Sequence, residues 1–169
     1  VVCKDVNGVI FNEEGRICLD NFKKVITEKT KIVAINYVSN VMGYVTPLKE
    51  IIKIAHDFNA KVIVDAAQAA PHMAIDVKDL DADFLAFSAH KMLGPSGLGV
   101  LYGKYELLNK MNPVEFGGDM NDYVEKYDST FKEAPYKFEA GTPLISEVIA
   151  FKEAIKYLDE IGMDNVHKH

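Results

Sequence analysis

The stretch Lys61–Lys104, KVIVDAAQAAPHMAIDVKDLDADFLAFSAHKMLGPSGLGVLYGK, constrains the fold more than any other part of the chain. An apolar run, Val62 to Val64, ends abruptly at Asp65. A second run, Phe84 to Phe87, ends at Ser88, Ala89, His90 and Lys91. A loop with Gly94, Pro95, Gly97 and Gly99 follows. Short apolar runs bounded by turn residues read as buried strands of an α/β sheet. Such sheets hold ligands just beyond the carboxyl ends of their strands. Two strand ends therefore deliver an acid and a lysine, with a serine and a histidine, to the place where a ligand sits.

The flanking sequence supplies the rest of an α/β unit. Val1–Val6 reads as the end of a strand, with Asn7-Gly8 as a turn. Asp20 opens a short helix through Ile26. Lys31–Val38 is a strand running into Ser39 and Asn40. Thr46-Pro47 is a helix start, Thr46 as N-cap and Pro47 at the first helical position. Leu48, Ile51, Ile52 and Ala55 form that helix's apolar stripe, and Asn59 suits its stop. Strand, helix, strand then predicts a parallel pair with a right-handed crossover into Lys61–Asp65. Asp76–Leu80 is a short helical turn. Gly99–Tyr102 follows the lysine loop too closely for a parallel crossover, so it should pair antiparallel with the Phe84 strand. Lys104–Met111 is helical, and Asn112–Pro135 has no clean period and reads as a long loop. Ser146–Ile161 is a helix with Val148, Phe151, Ile155 and Leu158 on its core face, stopped by Gly162. The fold class is thus α/β, a mostly parallel sheet with helices on both faces.

Composition excludes several function classes. The 169 residues carry a formal net charge of −6, which argues against a nucleic-acid surface. Hydrophobic residues at 49% and charged ones at 26% are those of a soluble domain with a sizeable core. No apolar run is long enough to cross a membrane and no signal-peptide pattern opens the chain, so the expected location is cytoplasmic. Cys3 and Cys18 then read as reduced thiols. Cys18, between Ile17 and Leu19, has the setting of a small buried apolar residue, and Cys3 lies in the first strand. Neither has the electropositive, partly exposed setting of a reactive thiol.

Pyridoxal phosphate is a ligand that needs a carboxylate and a lysine at neighbouring strand ends. The lysine forms a Schiff base with its aldehyde, and an acid keeps the pyridine nitrogen protonated so that the ring acts as an electron sink. Asp65 suits the second role. At about 4 Å and an effective dielectric near 20, such a pair is worth about 4 kcal/mol before desolvation. Lys91 suits the first role, with Ser88 and His90 beside it as phosphate donors. A strand-end Asp is by itself ordinary loop polarity, and Ser88–Lys91 alone is a weak motif. The conjunction of Asp65, Gln68, the lysine and the glycine loop is what carries the reading.

In this arrangement the sequence resembles the fold-type I pyridoxal phosphate enzymes of the aminotransferase class V group. It is most similar to cysteine desulfurases of the SufS type, the group that also contains selenocysteine lyases. The likeness rests on Val38-Ser39-Asn40-Val41, Val64–Ala69, Phe87–Lys91, Gly94–Tyr102, Phe116–Met120 and Phe138–Pro143, in the family's order. The resemblance implies that Lys91 is the internal aldimine lysine and that Asp65 pairs with the pyridine nitrogen. It implies Gln68 on the ring hydroxyl oxygen, Ser88 and His90 on the phosphate, and Asn40 near ring and substrate. Thr142 would reach the phosphate of the other subunit's cofactor, which implies a homodimer. Leu144 departs from the family, where Asn commonly follows Thr-Pro.

The implied fold is the large domain of the aspartate aminotransferase-like transferases, covered over residues 1–169 only in its central part, with the small C-terminal domain absent. The implied activity is release of sulfur from L-cysteine as an enzyme persulfide, leaving alanine. That sulfur would pass to an acceptor protein and supply iron–sulfur clusters. The family's nucleophilic cysteine falls after the Thr-Pro motif, so the 169 residues alone are expected to be inactive. Two other readings stay open at this stage. One is a different class V activity, such as a kynureninase or an aminotransferase, and the other is a non-catalytic α/β binding module.

Other signals have plainer readings. His56 lies on a helix and reads as surface or packing. His72 follows Pro71 in a loop at the ligand end, where a role is open. His167 and His169 are too few for a zinc site, so no metal is expected. GPSGLG lacks the spacing and trailing Lys-Ser or Lys-Thr of a Walker loop. Its glycines instead permit close packing after Lys91.

Overall fold

The structure is a computed structural model and describes residues 11–169. The expected strand Val1–Val6, its turn and Cys3 lie outside the described residues. The central element is a four-stranded sheet of β1 (Ile32–Asn36), β2 (Lys61–Asp65), β3 (Phe84–Ser88) and β4 (Gly99–Gly103), in that spatial order. The first three strands are parallel and β4 runs antiparallel to β3, with Leu85 opposite Tyr102 and Ser88 opposite Gly99. The parallel crossover and the antiparallel return are those the loop lengths demand.

Alternation along the strands sorts their side chains to two faces. Ile35, Val62, Val64 and Leu85 point to one face and are buried there with Ile51, Ile52 and Ala55 of α2 (Leu48–Asp57). Phe22 and Ile26, from and just after α1 (Leu19–Val25), join this core, as does Leu80 of α3 (Val77–Leu80). Each fully buried Val, Leu or Ile side chain of this set contributes about 1.5–3 kcal/mol. The other face receives α4 (Tyr105–Lys110). Its Leu108 lies so close over the sheet that a Cβ on Gly103 would meet Leu108 Cγ at 2.8 Å and Phe84 Cδ1 at 2.9 Å. Helices therefore pack on both faces, as expected.

Three local expectations need correction. Thr46 does not cap α2: the helix begins at Leu48 without a side-chain cap. Thr46 is buried, and its N–H donates to the Tyr37 carbonyl at 2.7 Å, which ties the helix start to the end of β1. The segment Asn112–Pro135 is not a plain loop. It contains a hairpin of β5 (Asn121–Val124) and β6 (Ser129–Phe131), with a register shift between Asn121 and Tyr123. The hairpin is largely exposed, so it leaves no alternating pattern to detect; it is anchored by buried Met120 and by Phe116 against Phe131, ring centres 5.7 Å apart.

The third correction concerns α5 (Ile145–Ile161). Of its four expected core residues only Phe151 and Leu158 are buried, whereas Val148 is 50% and Ile155 40% exposed. The helix touches the molecule chiefly at the turn after β3. Alongside, it leaves an apolar cleft of about 230 Å³ lined in part by Met73, Leu85, Phe87, Met92 and Ile155. A short α6 (Met163–Lys168) follows Gly162. Among the described residues no helix is long and apolar enough to cross a membrane.

Candidate active site

Asp65 is the last residue of β2, in register between Asn36 of β1 and Ala86 of β3. Its position is fixed by the main chain on both sides. The Tyr37 N–H donates to the Asp65 carbonyl at 2.8 Å, and the Ala66 N–H donates to the Ala86 carbonyl at 2.8 Å. The side chain is exposed, and its Oδ1 accepts the Ala67 N–H at 2.9 Å. This Asx-type turn holds the carboxylate at the sheet's end and leaves Oδ2 for a ligand. Asn36, unremarked in the sequence, stands beside Asp65 on the same face.

Ser88 ends β3 two residues beyond Ala86, so it shares the Asp65 face one strand away, where neighbouring strands lie about 4.8 Å apart. A 3-10 turn, Ala89–Met92, then carries His90 and Lys91 outward. The turn is tightly specified. Buried Ala89 donates to the Leu98 carbonyl at 3.0 Å and accepts from the Gly94 N–H at 2.9 Å. Leu93 closes the turn in the left-handed region, at φ 61°. Gly94 has no room for a side chain, since a Cβ there would meet the Phe151 ring at 2.6 Å and the Ala89 carbonyl at 2.9 Å. The close packing read into the glycine loop is thus present at Gly94. His90 and Lys91 are exposed, and Lys91 enters no ion pair among the described residues.

A third strand end contributes Asn40. After β1, the Ser39 hydroxyl accepts the N–H groups of Val41 at 3.3 Å and Met42 at 3.1 Å, and its own N–H donates to the Tyr44 carbonyl at 3.0 Å. This turn presents Asn40, whose Oδ1 accepts a hydrogen bond from the Gln68 Nε2 in the turn after β2. Asn40, Asp65 and Gln68 thereby meet at the carboxyl ends of β1 and β2, with Ser88, His90 and Lys91 at the adjoining end of β3. Thr142 stands apart on a separate, exposed segment. That segment docks on Gly117-Gly118: the Gly141 N–H donates to the Gly118 carbonyl at 2.9 Å, and a Cβ on Gly117 would strike Gly141 N at 2.8 Å.

The opposite end of the sheet holds a charge cluster that the sequence reading missed. Asp83, just before β3, is fully buried. Its Oδ2 accepts the Val62 N–H at 2.9 Å and lies 2.8 Å from His56 Nε2. Oδ1 faces Lys61 Nζ at 3.4 Å and Lys104 Nζ at 3.6 Å without a well-formed hydrogen bond. Burial pushes the Asp83 pKa up. The His56 and Val62 hydrogen bonds and the Lys104 charge outweigh it, so the net shift is below the ordinary carboxylate value. Asp81 beside it is lowered by its 2.6 Å hydrogen bond from Lys104. His56 is therefore a packing residue of this network, not a ligand of the candidate site.

Polarity is thus divided between two ends of one sheet: a cluster of paired charges at one, and at the carboxyl end Asp65, Ser88, His90 and Lys91, none of them in an ion pair among the described residues. The model of the family described as "Aminotransferase class-V" matches residues 4–169. This chain belongs to the class V aminotransferase family. A curated relative from Halalkalibacterium halodurans, a "probable cysteine desulfurase", is 57% identical over 157 residues, 93% of this chain and 39% of the relative. The crystal structure of the cysteine desulfurase CsdA from Escherichia coli superposes with a TM-score of 0.89 at 41% identity, over 92% of this chain and 39% of that one. A structure titled "SspA in complex with cysteine" superposes at 0.73 and 25% identity, over 90% of this chain and 40% of that one. The chain thus spans about two fifths of the length of the proteins it matches.

Class V enzymes use pyridoxal phosphate. The residues present fit that cofactor on their own chemistry. Asp65 keeps one carboxylate oxygen outside its turn, Lys91 is exposed and outside any described ion pair, and Ser88 and His90 flank it with hydroxyl and imidazole donors.

Proposed function

We propose that the protein containing this chain is a pyridoxal phosphate-dependent cysteine desulfurase. It takes sulfur from L-cysteine as a persulfide on a protein thiol and releases alanine. The observation that supports it most is the delivery of Asp65 and the Lys91 turn to adjoining strand ends, with Asn40 and Gln68 joined beside them. The named relatives point to cysteine among class V substrates. When bound, the cofactor supplies an aldehyde for amines and a ring that accepts electron density from the substrate.

The chain's own residues have these roles. Lys91 holds the cofactor through its ε-amine and is free to move protons once substrate binds. Asp65 keeps the proton on the pyridine nitrogen, and the Gln68 amide orients toward the ring oxygen. Ser88 and His90 hold the phosphate, and Asn40 faces ring and substrate. Cys18, half-buried just before α1, is not among these residues. Thr142 completes the phosphate site of a second subunit, so the working form is a homodimer. The sulfur passes to an acceptor protein for iron–sulfur cluster assembly in the cytoplasm.

The test uses the full-length protein with its cofactor. Borohydride followed by peptide mass spectrometry should place the label on Lys91, and cysteine should yield equal amounts of alanine and transferable sulfur. A label on another lysine would overturn the site. Labelling at Lys91 without alanine from cysteine would leave the cofactor in place and point to a different class V reaction.

A further inference from the structure

We infer that His72 is a positioning residue for Gln68, holding the main chain of the turn whose side chain meets the cofactor. The reasoning begins with Pro71. After β2 the chain starts a helical turn: Ala69 and Ala70 both donate to the Ala66 carbonyl, at 3.0 and 2.8 Å. Proline at 71 has no N–H and cannot continue the ladder. The His72 and Met73 N–H groups both go to the Ala69 carbonyl, each at 3.0 Å. The Gln68 carbonyl is left without a main-chain donor among the described residues. The His72 imidazole takes that place, with Nδ1 2.7 Å from the Gln68 carbonyl oxygen. A carbonyl only accepts, so Nδ1 carries the proton.

Gln68 is thereby held at two points. Asn40 fixes its side-chain amide from the β1 side, and His72 fixes its peptide from within the turn. Gln68 is only half-buried, and its peptide is bonded at both ends: the Ala69 N–H goes to the Ala66 carbonyl, and the Gln68 carbonyl has the His72 imidazole as its one donor among the described residues. His72 is exposed, lies outside the core and forms no ion pair among the described residues, so its one evident structural task is this bond. Site residues need supporting bonds of this kind, because small displacements of a cofactor-facing group are costly.

This inference rests on the pyridoxal phosphate reading, and its test separates the two. In the full-length protein, cofactor affinity is titrated by the visible band for the unmodified form, His72→Ala, His72→Asn, Gln68→Ala and the double variant His72→Ala/Gln68→Ala. Asn places an amide donor where imidazole Nδ1 stood. His72→Ala should weaken cofactor binding about three- to tenfold and alter the band, the range expected for one hydrogen bond. His72→Asn should recover most of the loss. In the Gln68→Ala background the same His72 change should move affinity less than about twofold, because the group it positions is gone. An unchanged affinity and band in His72→Ala would overturn the role. So would an equal loss with and without the Gln68 side chain, or no recovery with Asn. A missing visible band in the unmodified protein would instead defeat the cofactor reading, and the role of His72 with it.

Discussion

Phe151 occupies the space that a side chain on residue 94 would need: its ring lies 2.6 Å from a Cβ built on Gly94. The contact fastens α5 to the turn that carries Lys91. Gly94→Ala should therefore destabilise the protein by about 1–3 kcal/mol, the range for overpacking a filled site. Thermal melting of the full-length protein checks this. Phe151→Ala in the same chain should relieve only part of the strain, because the Ala89 carbonyl at 2.9 Å remains in the way. Equal melting temperatures for the Gly94→Ala and unmodified proteins would show that the helix yields freely.

The Asp83 cluster predicts a pH dependence with a definite sign. Burial raises the Asp83 pKa, but His56, the Val62 N–H and Lys104 together bring it below the ordinary 3.8. A carboxyl depressed in the folded state stabilises fully above its unfolded value and loses that contribution as pH falls through the folded value. Stability should therefore hold as pH approaches about 5 from above and decline below about 4, as far as this group is concerned. Asp83→Asn removes the buried charge, while His56 and Lys104 keep Asp81, so the cost is that of weakening charged hydrogen bonds, about 1.5–3 kcal/mol. That variant should also lose less further stability between about pH 5 and 3 than the unmodified protein. Urea midpoints across that range decide it, and parallel curves for the two proteins would remove Asp83 from the acid transition.

What the sequence made legible follows the range of the interactions involved. Strand β2 ends at Asp65 as read, because a run of apolar residues closed by an acid is a local signal. The antiparallel return of β4 was readable from loop length alone. Asp76–Leu80 reads as a short helical turn, and the structure adds that the Asp76 carboxylate caps the Lys78 and Asp79 N–H groups. The class V motifs carried the candidate site residues, and the structure places six of the seven at adjoining strand ends.

Long-range or solvent-facing features were not legible. His56 meets Asp83 across 27 positions, and nothing near either residue announces the other. The β5–β6 hairpin has mostly exposed side chains and so no alternation. On α5 the apolar period was real, but a helix pattern reports which residues share a face and not what covers it. Val148 and Ile155 lie on that face and remain partly exposed.

Besides facing ring and substrate, Asn40 should act on the chemistry through Gln68. Its Oδ1 accepts the Gln68 amide across the ends of β1 and β2. Asn40→Ala releases that amide, and loss of one such bond, about 0.5–1.5 kcal/mol, corresponds to as much as about a tenfold fall in rate. Asn40→Asp keeps the acceptor and should retain more activity than the alanine variant. Alanine formed from cysteine by the full-length protein is the measure. If the aspartate variant is as impaired as the alanine variant, Asn40 acts on the substrate directly and not by orienting Gln68.

Asp65→Asn should separate chemistry from folding. The amide keeps the shape of the side chain and an oxygen to accept the Ala67 N–H, so the turn at the end of β2 survives. The site is exposed and carries no described ion pair, so melting should change by about 1 kcal/mol or less. A neutral amide, however, cannot hold a proton on the pyridine nitrogen. The pairing it removes is worth about 4 kcal/mol at 4 Å and an effective dielectric near 20. At 1.36 kcal/mol per tenfold, turnover should fall about a thousandfold. Kinetics and melting are measured on one preparation of the full-length protein with bound cofactor. Near-normal turnover in a folded, cofactor-bound Asp65→Asn protein would take Asp65 out of the mechanism, while a large loss of stability would show that the carboxylate holds the strand end as well.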